Sequence, residues 1–220
     1  MKLTEILNDD VKEIWDGYLT HPFVKGIGDG TLPIEKFRFY MIQDYLYLYD
    51  YCKVFALGIV KARDPELMRF FADFVHSTLN GEMTIHRSYL TRLGYDIAEI
   101  EQETPSIKNL SYTHYMLAVG QNEGLLELLV SILSCAVSYE HIGKHLASLP
   151  GAADHPFYGE WIRGYASEDY AAGNVRLCEM VDRLGEDIGQ KQVVRLKEIY
   201  RTCSIYEKLF WDMAYDMDMN

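Results

Sequence analysis

The sequence has no C-x-x-C pair. Its four cysteines, Cys52, Cys135, Cys178 and Cys203, lie far apart, which argues against a zinc site or a dithiol redox motif. In a reducing compartment all four are expected as thiols. Basic residues are also scarce. Lys and Arg number 21 against 33 Asp and Glu, for a net charge of -12. No basic run stands out. Nucleic acid is bound through its phosphates by Lys and Arg, so it is not expected as a partner, and neither is an anionic membrane surface. No apolar stretch is expected to reach the ~18 residues a membrane span needs. The N-terminus shows no signal-peptide pattern, and a cytoplasmic location is expected. A repeat, a low-complexity segment and a convincing strand are all missing.

What is present is helical periodicity and tyrosine. Hydrophobic residues make up 49% of the 220-residue chain, and 17 residues are Tyr. Tyr buries its ring and pairs its hydroxyl, so it lines pockets and interfaces. Leu3, Leu7, Val11, Ile14 and Tyr18 step by three and four, which predicts an amphipathic first helix. It ends at Thr20-His-Pro, and Gly26-Ile-Gly28-Asp-Gly30 is expected as a loop. A second helix runs from about Pro33 to Ala62. Its centre places Phe37, Tyr40, Asp44, Tyr47 and Tyr51 on one face. Asp64 caps a third helix, with Pro65 at its first position. That helix runs to about Leu93, and Gly81 within it suggests close packing. Residues 95–110 form a connector. A helix follows from about Ser111 to Val119, then a break at Gly120-Gln-Asn122. A long apolar helix spans Glu123 to about Leu149. After a loop at 150–156, a short helix holds Trp161 and Tyr165. Ser167 caps a helix to about Leu184, and the last runs from about Gly189 to Tyr215. Seven to nine helices with short connections predict one all-α bundle in a single domain, residues 1–220.

Three polar residues stand out within apolar surroundings. Cys135 lies in the apolar helix, with Tyr139 one turn on. Taken alone it reads as a core thiol. Asp44 lies in the aromatic face of the second helix and needs a partner, either a Tyr hydroxyl or a ligand. Glu207 sits one turn before Phe210 and Trp211, and reads either as an inward carboxylate or as a surface Glu beside Lys208. Glu82 and His86 share a helical face at i, i+4. The Glu-x-x-His spacing of di-iron bundles is absent, so no metal or other cofactor is expected. The roles of Glu82 and His86 stay open.

Together these pieces resemble the TenA/thiaminase II family, in its cysteine-containing class. The resemblance covers essentially the whole chain. It rests on His21-Pro-Phe23, Tyr40-Met-Ile-Gln43-Asp44-Tyr45-Leu46, Glu82 with His86, and Tyr112. It continues through Cys135-Ala-Val-Ser-Tyr139, Trp161 with Tyr165, and Tyr206-Glu207 with Phe210-Trp211. The resemblance implies a heme-oxygenase-like bundle, usually a homotetramer. It implies hydrolysis of aminomethylpyrimidine, and of thiamin, in thiamin salvage. Cys135 would be the nucleophile, Glu207 the carboxylate acting on the ring nitrogen, and Asp44 the carboxylate at the amidine edge. Tyr112 would hydrogen-bond near the nucleophile. Tyr47, Tyr139, Tyr165 and Phe210 would line the pocket. Two other readings compete: a metal- or oxygen-dependent enzyme of the same fold, and a non-catalytic pyrimidine-binding regulator.

Overall fold

Eleven α-helices and one π-helical turn account for about four fifths of the chain, and the computed structural model describes every residue, Met1–Asn220. Helix α1 (Leu3–Thr20) buries Leu3, Leu7, Val11, Trp15 and Tyr18. Trp15, rather than the half-buried Ile14, completes the stripe. The expected glycine loop begins as helix α2 (Pro22–Gly28). His21 caps it by accepting the Phe23 N–H, and Pro22 holds its first position. The turn proper comes at Gly30, whose φ of 70° suits glycine. Helix α3 (Ile34–Lys61) is the expected aromatic helix.

The third predicted helix is interrupted. Helix α4 (Pro65–Ser77) is capped by Asp64 as expected. It passes through a π-helical turn, Thr78–Glu82, into α5 (Met83–Arg92). The Met83 N–H reaches back to the Thr78 carbonyl, five residues earlier. Gly81 lies in this turn, and a Cβ there would meet nothing within 4 Å. Close packing is therefore not the reason for it.

After the short α6 (Ile97–Ile100), helix α7 (Ile107–Asn122) starts earlier and ends later than its periodicity suggests. Ser106 caps it by accepting the Asn109 N–H at 3.1 Å. Gly120 and Asn122 belong to it. Asn122 donates back to the Ala118 carbonyl rather than capping the next helix. Then come α8 (Leu125–Ala147), α9 (Gly159–Tyr165), α10 (Glu168–Leu184, capped by Ser167) and α11 (Gln190–Asp216). Helix α8 corrects one expectation. By length and composition it could cross a membrane, but 78% of its most apolar window is buried inside the protein.

The chain groups into two compact units: Met1–Pro33 with Leu129–Asp212, and Ile34–Leu128 with Met213–Asn220. In the first unit, Trp15 Nε1 donates to Ser204 Oγ at 3.2 Å, and the Tyr18 hydroxyl donates to the Ser204 carbonyl. These bonds tie α1 to α11. In the second unit α3 is the central helix. Its Gly58 lets α4 approach, since a Cβ there would lie 2.4 Å from the Phe71 ring.

Candidate active site

The first unit holds Cys135, Tyr139, Tyr165, Glu207 and Phe210. Cys135 and Tyr139 lie one turn apart on α8, 8% and 3% exposed. Two devices flank the thiol. Ser134 Oγ and Ser204 Oγ are 2.9 Å apart and join α8 to α11. Asn174 on α10 donates to the Ala136 carbonyl at 2.9 Å and to Glu140 Oε2 at 2.7 Å. The Tyr139 ring lies 4.7 Å from Tyr165 and 5.2 Å from Trp211, centroid to centroid. Trp161 completes the wall at 4.8 Å from Tyr165. Trp161 and Trp211 lie within the stretches that carry the resemblance but were not among the expected pocket residues.

Glu207 is 2% exposed, which rules out the surface reading. Burial, then Glu207, hold the Cys203 thiol well above its ordinary pKa. Burial and Glu207 do the same to the Tyr18 hydroxyl. Phe210 is buried on the same helix, next to Trp211.

The second unit holds Asp44, Tyr47 and Tyr112. Asp44 is 3% exposed. Its Oδ2 accepts the Tyr40 hydroxyl at 2.9 Å, so the expected Tyr partner is there. The same oxygen lies 2.7 Å from His86 Nε2. Sequence reasoning had left His86 without a role. The contact joins residues 42 apart, and helical spacing within α5 carries no sign of it. Burial opposes a charge on the His86 ring. The bonded Asp44 carboxylate, with Glu82, outweighs burial and raises the His86 pKa above its ordinary value.

Tyr47 and Tyr112 are brought together, with ring centroids 5.3 Å apart. Tyr51 stacks on Tyr47 at 5.4 Å. A polar clamp sets this register. Gln43 Oε1 accepts the Ser106 N–H at 2.8 Å, and Asn109 Nδ2 donates to the Gln43 carbonyl at 2.7 Å. The start of α7 is thereby fixed against α3, and Tyr112 follows one turn later. Each unit, taken by itself, contains a buried carboxylate among aromatic rings, and the first also contains a buried thiol. Aromatic walls bind flat rings, while such carboxylates orient or protonate them.

Three comparisons bear on this chain. The family model described as TENA/THI-4/PQQC matches residues 8–217. A protein of Halalkalibacterium halodurans named aminopyrimidine aminohydrolase is 45% identical over 219 residues, 100% of this chain and 98% of that protein. The solved structure of a TenA homologue from P. horikoshii OT3 superposes with a TM-score of 0.90 at 30% identity, covering 98% of this chain and 99% of that one. A Shewanella denitrificans domain described as having a heme oxygenase-like fold gives a TM-score of 0.77 at 18% identity, covering 99% of this chain and 93% of that one, a likeness of fold alone.

Proposed function

The chain belongs to the TENA/THI-4/PQQC family, and on that premise we propose that it is an aminopyrimidine aminohydrolase. It hydrolyses 4-amino-5-aminomethyl-2-methylpyrimidine, and thiamin, to the 5-hydroxymethyl pyrimidine in thiamin salvage. The observation that carries this is a thiol and two carboxylates, Cys135, Asp44 and Glu207, each at most 8% exposed and each on an aromatic-lined helix. An apolar core gains nothing from buried carboxylates. The relative at 45% identity bears the corresponding name over its whole length.

In this reading the Cys135 thiolate adds to ring carbon C6 while Glu207 protonates the adjacent ring nitrogen. The ring electrons then expel the protonated amine from the exocyclic methylene as ammonia. Water adds to that methylene and releases one proton, which replaces the one the amine carried away. Return of the nitrogen proton to Glu207 and loss of the thiolate restore the aromatic ring. Covalent catalysis splits one hard displacement into easier steps. Protonation by Glu207 contributes roughly 10²–10⁴-fold. Asp44 accepts the 4-amino N–H, and Tyr112 hydrogen-bonds near the nucleophile. Tyr47, Tyr139, Tyr165 and Phe210 hold the ring. The corresponding assembly is a cytoplasmic homotetramer acting on a small molecule, without a nucleic-acid or membrane partner. The net charge of -12 supports the lack of a nucleic-acid partner.

The test is turnover of aminomethylpyrimidine and of thiamin on one preparation, repeated with Cys135→Ser. Cys135→Ser is expected to lose roughly 10³-fold or more in kcat. Unchanged pyrimidine release would remove the nucleophile role. A kcat/KM favouring thiamin by more than about tenfold, roughly 1.4 kcal/mol, would overturn salvage as the main activity.

A further inference from the structure

His86 is almost fully buried, at 2% exposure, and both of its ring nitrogens are engaged. Nδ1 lies 3.0 Å from the Glu82 backbone carbonyl. A carbonyl only accepts, so Nδ1 carries a proton. Nε2 lies 2.7 Å from Asp44 Oδ2, a charge-assisted separation. The Tyr40 hydroxyl donates to the same oxygen. Asp44 Oδ2 is the acceptor at this junction, so Nε2 donates to it alongside the Tyr40 hydroxyl.

The backbone is shaped for this contact. The carbonyl that holds Nδ1 is the last of the π-helical turn Thr78–Glu82, immediately before α5. A π turn inserts about one residue relative to an α-helix and is frequent at functional sites. Each α-helical residue turns the chain by about 100°. Continued as plain α-helix from α4, the segment would swing the face of α5 by about that angle and carry His86 off Asp44.

We infer that His86 is a positioning residue for Asp44. Anchored by its Nδ1–H to the Glu82 carbonyl, the ring pins the Asp44 carboxylate through Oδ2 and leaves Oδ1 to accept the amino N–H of a 4-aminopyrimidine. The inference rests on the proposed role of Asp44 and adds a residue that acts on substrate only through it. A carboxylate held on one oxygen offers the other in a fixed direction, and orientation of this kind is a large part of catalytic advantage.

The test combines kinetics on five proteins with NMR on one. Wild type, His86→Gln, His86→Leu, Asp44→Asn and the double variant His86→Gln/Asp44→Asn are assayed with aminomethylpyrimidine, and folding is checked by far-UV circular dichroism. Asp44→Asn is expected to lose about 10²-fold or more in kcat/KM. His86→Gln keeps one N–H donor and is expected to lose about tenfold, chiefly through a raised KM. His86→Leu, with no donor, is expected to fall nearer to Asp44→Asn. The double variant is expected to be no worse than Asp44→Asn alone, because His86 has nothing left to position. Losses that multiply in the double variant, or a His86→Leu enzyme with wild-type kinetics, overturn the positioning role and leave the role of Asp44 standing. Wild-type kinetics in Asp44→Asn overturn both. Where the His86 variants do not fold, long-range ¹H–¹⁵N spectra of the wild-type imidazoles decide. A protonated Nδ1 on His86 is expected, and an unprotonated Nδ1 overturns the proposal.

Discussion

Asp44 and Glu207 are 3% and 2% exposed, and the ion pair of Asp44 is with His86 rather than with a Lys or Arg. Asp44 is instead satisfied by a Tyr hydroxyl and a His ring. That arrangement has a pH consequence. His86 binds its proton more tightly in the folded protein than in the unfolded chain, because Asp44 and Glu82 outweigh burial. The titratable groups that act on it are Asp44 from α3 and Glu82 from the π turn, and Tyr40 reaches it only through Asp44. Below the unfolded His value of about 6.5, both states carry the proton and the pair contributes fully to stability. As pH rises through the raised folded value, that contribution is lost. Urea midpoints of wild type and His86→Gln are therefore expected to differ more at pH 6 than at pH 9. A difference that grows with pH would show that His86 is held neutral. At this scale the aromatic setting of Asp44 and the apolar setting of Cys135 were legible in the sequence, because both follow from helical spacing. The His86 partner was not, because a bond between two helices leaves no periodicity in either.

Caps and stripes are local, and that is why most helices were legible. Asp64 with Pro65, and Ser167, mark helix starts as their side chains dictate. The features that stayed hidden are those where one signal has two uses. Pro22 stops α1 and also starts α2, with His21 as an unusual cap. Gly81 and Gly143 both sit within helical patterns, yet only one is needed for space. A Cβ at Gly143 on α8 would lie 2.7 Å from the Tyr165 carbonyl carbon, 2.8 Å from its Cβ and 2.9 Å from the Ala166 nitrogen. These are largely backbone atoms and have little room to yield. Gly143→Ala is expected to cost about 1–3 kcal/mol and to raise KM by displacing Tyr165 from Tyr139. Gly81→Ala meets nothing within 4 Å. It is expected to leave activity unchanged and to add about 0.5–1 kcal/mol of stability. Thermal melts of both variants, with KM for aminomethylpyrimidine, check the pair. Equal effects at the two sites would mean that helix propensity alone governs both.

For the whole molecule, composition and burial meet on α8. Its most apolar window has a mean hydropathy of 1.5, enough for a membrane span, and the chain carries a net charge of -12. Hydropathy alone does not separate a lipid-facing helix from a core helix, because both must be apolar. The polar atoms separate them here. Ser131, Ser134 and Ser138 on α8 are fully buried. Ser134 bonds to Ser204 of α11, and Ser138 donates to the carbonyl of Cys135. Asn174 of α10 reaches the Ala136 carbonyl. Protein therefore contacts this helix through specific hydrogen bonds as well as through its apolar surface, and 78% of the window is covered. A helix so covered has little apolar surface left to drive insertion into a bilayer. The high negative charge adds repulsion from an anionic surface. After lysis without detergent, the full chain is expected in the supernatant of a high-speed spin, and an alkaline carbonate wash of the membranes is expected to leave none behind. Retention of the chain in carbonate-washed membranes would make α8 a lipid-facing span and would overturn its assignment as the core helix that carries Cys135.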